Sequence, residues 1–523
     1  MKRMTFRRLI LLYCLGLGVT WFVSTLQNSP GYMDADYYFV TGLRIAQGFG
    51  FNEPFLWNYL DNPLILPHPS HTYWMPLTSL LAALGIFISG NNHFSSAQIG
   101  FVVLTGFIPV LTASLSFQFN RDKALSTWAG ILSIFSGYYL AFLPTTDTFV
   151  LYMLLGGGFF LVLNKISDIK YRSALLGIFA GMMHLARADG ILWLLIAVFI
   201  AINEFRHSKN RIVLWVIITC AGYALIMLPW MLRNHSVFDT LLAPGGARAL
   251  WFIAYDDLYA YPANVISFSR WWATGLSEIF RERLSALGQN LQTALAVQGE
   301  IFLVPLILTG AWRIRKNASV RWGVLAWLLT LGIMTFLFPF AGSRGGFFHA
   351  GAALQILMWA LVPGGLQGFL DWGKSTRGWN HAQTAHIFQI SIVAFAAILS
   401  LYLGFERIIG ANLNCPAWNC PSERYASLDE TLLELGAPAD AIVMINNPPG
   451  YFASTGRPSI VIPDGNVETS LMVAERYQAT YLLLEYNHPT GLDQLYTDPI
   501  DLPGLRYLLS DRDIHIFKID LSP

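Results

Sequence analysis

Long apolar segments, separated by short polar stretches, follow one another along the first three quarters of the chain. A helix needs roughly 20 apolar residues to cross about 30 Å of hydrocarbon. Segments that reach or approach this length lie at about 8–26, 97–118, 125–143, 148–164, 171–187, 190–203, 212–230, 301–312, 322–338, 347–366 and 387–405. The pattern predicts a mainly α protein, a polytopic bundle of about eleven transmembrane helices.

One further apolar stretch, at about 74–89, is short for a crossing. It opens with Trp74 and Pro76 and ends at Gly90. We expect it to form an interfacial or re-entrant helix, not a transmembrane span.

Basic residues test this count of spans, because short cytoplasmic loops are rich in Lys and Arg. With a cytoplasmic N-terminus, every short loop predicted inside is basic. A crossing at 74–89 would place Arg121 and Lys123 outside and reverse every later loop. The sequence therefore predicts a multi-pass protein of a bacterial plasma (inner) membrane, with its C-terminal part outside the cytoplasm. The basic residues predicted on the cytoplasmic side are Lys2, Arg3, Arg7, Arg8, Arg121, Lys123, Lys165, Lys170, Arg172, Arg206, Lys209, Arg211, Arg313, Arg315, Lys316, Arg321, Lys374 and Arg377.

The composition agrees with a lipid-facing surface. Hydrophobic residues make up 54% of the 523 residues and charged residues 12%, whereas soluble domains carry roughly 25% charged residues. The net charge of +1 gives no sign of a nucleic-acid partner. Membrane lipids are the surroundings that this composition implies.

The last part of the chain changes character at about residue 406. Helical patterns there, such as Val467 to Gln478, alternate with short apolar runs at 441–445, 459–462, 481–485 and 514–519. We therefore predict a small extracytoplasmic α/β domain over 406–523. The transmembrane domain would cover 1–405 and include a large first exterior loop at 27–96.

The four cysteines fit this arrangement. Cys14 and Cys220 lie in predicted spans, where cysteine acts as a small apolar residue. Cys415 and Cys420 lie in the predicted exterior part, where an oxidising compartment permits a disulfide. Spacing alone leaves the bond open. A metal site is the less favoured alternative, because no histidine or second cysteine pair is nearby.

Two carboxylates stand at the start of a predicted helix in the first exterior loop. Asp34 and Asp36 precede a helical pattern that ends near Gln47, and Tyr38 follows them. Helix capping explains one aspartate at such a position. For the pair beside tyrosines, a catalytic or ligand-binding role is the stronger interpretation.

The same loop contains a polar and aromatic segment rich in proline, from His68 to Pro76. It includes His71, Tyr73 and Trp74. An aromatic belt with a rigid turn explains the two aromatic residues but not the histidines. The His-x-x-His spacing is only a weak indication of metal binding.

Further polar residues fall at the exterior ends of other predicted spans. They are Asp147, Arg187, Asp189, Arg344 and His349. If they meet the first loop at the outer membrane surface, the combination suits a phosphorylated lipid and a sugar. Such a site needs cations for phosphate, aromatic faces for a sugar ring, and a carboxylate that accepts a proton.

In these features the chain resembles the C-type (GT-C) glycosyltransferases, integral-membrane enzymes that use polyprenyl-phosphate sugars. The group includes protein O-mannosyltransferases, the lipid A aminoarabinose transferase, and bacterial relatives of family 39 and of the RgtA/B/C/D type. The matching features run in family order: Asp34 with Tyr38, the segment from His68 to Pro76, Thr146-Asp147, the turn from Arg187 to Gly190, the stretch 344–349, and the small exterior C-terminal domain.

Two features depart from the family pattern. Ala35 separates the two aspartates, which often adjoin in the family, so either Asp34 or Asp36 could be the base. Leu-Pro-His-Pro replaces the common Lys-Pro-Pro, so His68 could stand in for a cation near the phosphate. The cofactor stays open, because these residues neither require nor exclude a divalent cation.

The resemblance implies an inverting transfer from a polyprenyl-phosphate sugar to a hydroxyl of a lipid, glycan or protein acceptor. Asp34, Asp36 and Asp147 are the catalytic candidates, with Asp34 preferred as the base. The substrate-binding candidates are Tyr38, His68, His71, Tyr73, Trp74, Arg187, Asp189, Arg344 and His349. The alternatives are a transporter or lipid flippase, and a non-catalytic membrane receptor or assembly factor. Transporters typically place charges mid-membrane and often carry repeats, whereas here the charges gather at one predicted interface.

Overall fold

The structure, a computed structural model, describes residues 4–166, 168–204 and 208–520. Lys2, Arg3 and Arg206, which the charge pattern assigned to the cytoplasmic side, lie outside these ranges. The described chain is mainly helical, as predicted, with one larger β-sheet near its C-terminal end.

The helices divide into those before and after residue 240. The first group is α1 Phe6–Ser24, α2 Met33–Ala46, α3 Leu77–Ser89, α4 Phe94–Thr105, α5 Phe107–Asn120, α6 Lys123–Leu132, α7 Phe149–Lys165, α8 Ile169–Ala186, α9 Ile191–Glu204 and α10 Lys209–Phe238. The second group is α11 Phe268–Ala273, α12 Leu276–Thr293, α13 Val304–Arg313, α14 Ala318–Gly332, α15 Pro339–Ala341, α16 Phe347–Arg377, α17 His381–Ile408, α18 Cys420–Glu434, α19 Pro448–Thr455, α20 Val467–Tyr477 and α21 Asp493–Thr497.

Six helical segments of the described chain are long and apolar enough to cross a membrane. They are Phe6–Ser24, Phe94–Asn120, Lys209–Phe238, Ala318–Leu337, Pro339–Arg377 and His381–Ile408. The chain is therefore a membrane protein, and the larger number of spans stays a prediction. Helix α3 has 13 residues and so a length of about 20 Å, which is short of the hydrocarbon thickness.

The continuous helix predicted over 125–143 is wrong. Helix α6 ends at Leu132, and a short 3₁₀ helix follows over Gly137–Phe142. Gly137 has a φ of +57°, which glycine adopts without steric cost. Its amide donates to Ser400 Oγ at 2.8 Å, and a Cβ there would lie 3.2 Å from Glu300 Cγ. These contacts fix the start of the 3₁₀ helix, which takes the place of the second half of the predicted apolar helix.

Four strands near the C-terminus, β4, β5, β6 and β8 below, lie at the short apolar runs of the sequence. The strands are β1 Asn52–Glu53, β2 Phe55–Leu56, β3 His68–Pro69, β4 Ile442–Ile445, β5 Ser459–Val461, β6 Ala479–Leu484, β7 Leu505–Asp511 and β8 Ile514–Ile519. The six-stranded sheet has the order β2-β5-β4-β6-β8-β7, and β1 pairs separately with β3.

One strand of the six-stranded sheet comes from the first loop, not from the C-terminal part. Phe55 of β2 pairs in parallel with Ser459 of β5. β5, β4 and β6 are also mutually parallel, whereas β8 is antiparallel to β6 and β7. The strand pairing therefore crosses the predicted domain boundary at 405/406, and that division stays a prediction.

Two central helices bring the site together. α16 is buried along most of its length, and α7 packs closely against it, because a Cβ at Gly156 would lie only 1.9 Å from the Ala353 carbonyl oxygen. Asp147 directly precedes the first residues of α7, and His349 lies in the first turn of α16. The packing therefore places both polar side chains at the same end of the bundle.

Candidate active site

Asp34, Asp147 and His349 meet where three helices begin. Each offers one ligand atom, and these atoms all lie within 4.8 Å of one another. His349 Nε2 is 3.1 Å from Asp147 Oδ2 and 3.9 Å from Asp34 Oδ2. Asp34 and His349 are 315 positions apart in the sequence. We call the three residues the carboxylate–histidine cluster.

Hydroxyl groups of the loop before α7 hold this arrangement in place. Thr145 Oγ1 donates to the Pro30 carbonyl at 3.2 Å, and Thr146 Oγ1 donates to the Ala35 carbonyl at 2.7 Å. These bonds tie the loop to the start of α2. Asp147 is thereby fixed next to Asp34.

Asp147 is buried and fully engaged by donors. Its Oδ2 accepts from the Tyr32 hydroxyl at 2.5 Å and faces His349, and its Oδ1 accepts from the amide and hydroxyl of Thr148. Burial raises the pKa of Asp147, but His349 and these hydrogen bonds outweigh it, so that the pKa is lowered overall. Asp147 is therefore an ionised carboxylate that its hydrogen bonds hold in a fixed position.

Asp34 has different surroundings, although it belongs to the same cluster. Its side chain is 33% exposed. Burial of the carboxyl and the neighbouring charge of Asp147 raise the pKa of Asp34 to about 6, against the lowering effect of His349 and Arg187. Asp34 is therefore the carboxylate of the cluster that can exchange a proton with a ligand near neutral pH.

The ring of His349 is oriented by the backbone just before its helix. Nδ1 lies 2.9 Å from the Gly345 carbonyl oxygen, so Nδ1 carries a proton and donates. Nε2 can then donate to Asp147 only when the ring is an imidazolium. Gly345 has a φ of +129°, a conformation that favours glycine and that turns its carbonyl toward the ring.

Arg187 adds a positive charge beside the cluster. It ends α8, and its Nε donates to Asp189 Oδ1 at 2.8 Å. Its guanidinium lies 5.7 Å from the centre of the Tyr152 ring. Its charge also lowers the pKa of Asp34. The predicted residues Arg187 and Asp189 form an ion pair with each other.

Asp36 does not join the cluster. Two residues along a helix are about 200° apart around its axis, so Asp36 faces away from Asp34. Its Oδ2 accepts from Asn447 Nδ2 at 3.0 Å, beside the start of α19. Burial raises the pKa of Asp36 to about 7, although the Asn447 bond acts in the opposite direction. Asp36 therefore connects α2 to the C-terminal part.

The two histidines of the first loop also lie apart from the cluster. His68 Nε2 is 2.7 Å from Asp61 Oδ2. His71 is buried between Ser70 Oγ, 2.8 Å from Nδ1, and Ser79 Oγ, 3.0 Å from Nε2. Burial and Arg233 lower the pKa of His71 to about 3, so this ring is neutral at physiological pH. Both histidines hold the loop together.

The predicted aromatic residues form a wall beside the cluster. Trp74 stacks on Trp57, with ring centres 3.9 Å apart, and its ring centre is 6.0 Å from that of Tyr38. Burial raises the pKa of Tyr73 to about 12, with smaller effects from neighbours that include Asp34. Aromatic faces therefore stand next to the proton-accepting carboxylate.

Arg344 lines a cavity that contains none of the three cluster residues. Its guanidinium is 4.5 Å from the centre of the Tyr255 ring. Both residues line a cavity of about 360 Å³ together with Arg281 and other residues of α12. Sequence reasoning missed Tyr255, because the stretch between α10 and α12 carries no motif. It also missed Tyr32, whose only signal was its position two residues before Asp34.

The cluster has the ligand types that bind divalent cations. Two carboxylates and an imidazole suit Mn²⁺ or Zn²⁺ better than Mg²⁺, which prefers oxygen ligands alone. The oxygens of Asp147 already accept protein hydrogen bonds, so the described arrangement is satisfied by internal partners. Asp34 is the member with free ligand capacity.

Comparison with known proteins identifies the fold. No family model matches the chain, and no curated protein matches its sequence. Among solved structures, ArnT from Cupriavidus metallidurans bound to undecaprenyl phosphate aligns with a TM-score of 0.58 and 10% identity, over 97% of both chains. The oligosaccharyltransferase of Archaeoglobus fulgidus tethered to an acceptor peptide aligns with a TM-score of 0.57 and 14% identity, over 92% of this chain and 68% of its own. Both are GT-C glycosyltransferases, so the chain has the GT-C fold that its motifs resemble.

Proposed function

We propose that the protein is a glycosyltransferase that moves a sugar from a polyprenyl-phosphate donor to an acceptor hydroxyl at the exterior face of the membrane. The observation that carries the proposal is the convergence of Asp34, Asp147 and His349 within 4.8 Å at the mouth of a helical bundle with the GT-C fold. A carboxylate with a pKa near neutrality, beside fixed cations and aromatic faces, suits glycosyl transfer to a hydroxyl.

In this mechanism Asp34 is the general base. Its partly exposed carboxylate accepts the proton of the acceptor hydroxyl as the oxygen attacks the anomeric carbon. The bond from that carbon to the phosphate oxygen breaks, and the polyprenyl phosphate leaves with the electron pair. A single displacement of this kind inverts the anomeric configuration.

The remaining groups hold charge in place. Asp147, engaged by Tyr32 and His349, orients the imidazolium toward the reaction centre. Arg187, Arg344 and His349 offset the charge of the departing phosphate. Tyr38, Tyr73 and Trp74 provide faces for the sugar ring.

The structural neighbours also bear on the substrates. The structural neighbours include a protein bound to undecaprenyl phosphate and one tethered to an acceptor peptide, which supports a lipid-linked donor for this chain. A lipid, a glycan or a protein could be the acceptor. Mass spectrometry of membrane glycolipids and glycoproteins, with and without the gene, would identify the product.

Replacement of Asp34 by Asn tests the mechanism. The change keeps the size of the side chain and removes the basic carboxylate. A positioned base typically raises the rate of a reaction about 10²–10⁴-fold. The rate of formation of the product found by mass spectrometry should therefore fall by about that factor, while donor binding changes little. Asp498→Asn is the matched control, because Asp498 is exposed and distant in the C-terminal part.

Near-normal turnover of both Asp34→Asn and Asp147→Asn would contradict the transferase mechanism. A transport or flippase assay with the same variants would then be the next measurement. Loss of turnover in the Asp498→Asn control would show that the assay reports folding instead of chemistry.

A further inference from the structure

A large groove lies at the end of the bundle opposite to the carboxylate–histidine cluster. Its volume is about 1000 Å³, and it lies between the start of α1 and parts of α5, α7 and α8. Helix α7 starts beside Asp147 and reaches the groove at its last residue, Lys165. A helix of 17 residues spans about 25 Å, so the groove and the candidate active site are separate.

The groove has an apolar interior and a basic rim. Leu111 and Leu161 are among the side chains of the interior, and Arg121 and Lys165 provide the charge. None of the lining residues in the described part of the chain is acidic. The nearby Asp122 accepts from the amides of Ala124 and Leu125 and so caps α6.

Arg121 and Lys165 form no ion pair with a carboxylate within residues 4–166, 168–204 and 208–520. Two amide side chains that line the groove also have one atom each without a partner. The Gln118 Oε1 and Asn164 Nδ2 atoms are buried without a hydrogen bond in the described structure. Charges without counter-ions and unpaired buried polar atoms both favour a polar ligand at this place.

We propose that this groove binds an anionic glycerophospholipid. The phosphate would lie between Arg121 and Lys165, with Gln118 and Asn164 beside the headgroup, and an acyl chain would lie along Leu111 and Leu161. Charge complementarity selects an anion. The apolar interior, set among helices of a membrane protein, selects a lipid over a soluble phosphate compound. The inference does not depend on the proposed enzymatic activity.

The double variant Arg121→Asn/Lys165→Gln tests the proposal. Arg121 has a φ of +59°, a region that Asn adopts more readily than other non-glycine residues, so the fold is maintained. The control is Lys374→Gln/Arg377→Gln, which removes the same charge from the last turn of α16, outside the groove. The purified full chain in phosphatidylcholine nanodiscs is titrated with phosphatidylglycerol, and bound lipid is counted by native mass spectrometry.

The wild type and the control should bind phosphatidylglycerol in preference to phosphatidylcholine. The groove variant should bind phosphatidylglycerol about 30-fold more weakly, since each membrane-surface cation contributes on the order of a few-fold in affinity. Its melting temperature should also no longer rise with added phosphatidylglycerol. Equal binding by all three proteins would overturn the proposal, as would equal binding of the two lipids by the wild type.

Discussion

Asp34 and Asp147 share one cluster but differ in what surrounds each carboxyl. Asp147 receives hydrogen bonds on both oxygens and is buried, whereas Asp34 is one-third exposed and has His349 Nε2 only at 3.9 Å. Two adjacent carboxylates whose pKa values are pushed apart can take different roles. In the proposed mechanism, these surroundings favour Asp34 for proton transfer and Asp147 for the fixed negative charge.

The activity should depend on pH through Asp34. A base acts when ionised, so turnover should rise as pH increases through about 6, the raised pKa of Asp34. One unit below that value about a tenth of the plateau activity should remain. A rate profile of kcat/KM from pH 4.5 to 8.5 measures this. Because Asp34, Asp147 and His349 interact, the apparent pKa of this rise belongs to the cluster as a whole. A wild-type profile without such a rise would contradict the role of Asp34.

Asp36 should affect stability more than catalysis. Its pKa rises from 3.8 to about 7 on folding because of burial, so the folded state favours the protonated carboxyl. The contribution of Asp36 to the free energy of unfolding is therefore complete below pH 4 and declines as pH rises to about 7. Asp36→Asn should remove this decline and stabilise the protein at pH 8, by at most about 4 kcal/mol.

Thermal unfolding of the wild type and Asp36→Asn at pH 5 and pH 8 measures the difference. Turnover of Asp36→Asn should stay within a few-fold of the wild type. A large loss of turnover with an unchanged melting curve would instead return Asp36 to the catalytic candidates.

At the scale of elements, a closed loop between α17 and α18 supports the cluster from behind. Cys415 and Cys420 are joined by a disulfide, a bond that their spacing alone left open. Trp418 lies between them, donates from its ring nitrogen to the Ser29 carbonyl at 2.9 Å, and packs edge-on against Tyr32 with ring centres 5.7 Å apart. Tyr32 in turn donates to Asp147. The loop therefore holds the residue that orients the buried carboxylate.

Tyr32→Phe should separate the hydrogen bond from the packing. The ring contacts with Trp418 and Phe142 remain, so the melting temperature should change little. Loss of a hydrogen bond to a charged group should lower turnover about tenfold. Tyr138→Phe is the control, since its ring also packs against Phe142. If Tyr32→Phe and this control show equal turnover, Tyr32 plays no part in positioning Asp147.

The disulfide itself should contribute little to stability. A closed loop of so few residues removes chain entropy worth about 2 kcal/mol. Cys415→Ser/Cys420→Ser should therefore unfold a few degrees below the wild type and keep most of its turnover. Mass mapping without reductant should find the bond in the wild type, and two free thiols there would contradict the structure.

The sequence predicted most helices because apolar segments of the required length are strong signals in a membrane protein. It failed at 125–143, where α6 ends at Leu132 and the following 3₁₀ helix packs at Gly137 against Ser400 and Glu300, which are distant in sequence. It also missed β2, because two residues in a loop carry no pattern of their own. For the site, motif order located Asp34, Asp147, Arg187 and His349. The internal bonding of His68 and His71 could not be predicted, since their partners are ordinary serine and aspartate residues.

At the scale of the whole molecule, two consecutive helices relate the site to the membrane. α16 has 31 residues and α17 has 28, so each is about 40–45 Å long and exceeds the thickness of the hydrocarbon. α16 has His349 in its first turn and Lys374 and Arg377 in its last turn, and α17 leads back to the disulfide loop. The candidate active site and α18 should therefore lie on one side, and the basic end of α16 on the other.

Cysteine labelling of intact cells tests this orientation. Ser427 of α18 and Ser375 of α16 are both exposed, and Cys14→Ala/Cys220→Ala removes the free thiols. In that background a membrane-impermeant maleimide should label Ser427→Cys directly and Ser375→Cys only after permeabilisation, because basic loops stay in the cytoplasm. The reverse pattern would place the candidate active site in the cytoplasm and contradict the exterior reaction. Labelling of both positions from outside would show that α16 does not cross the membrane.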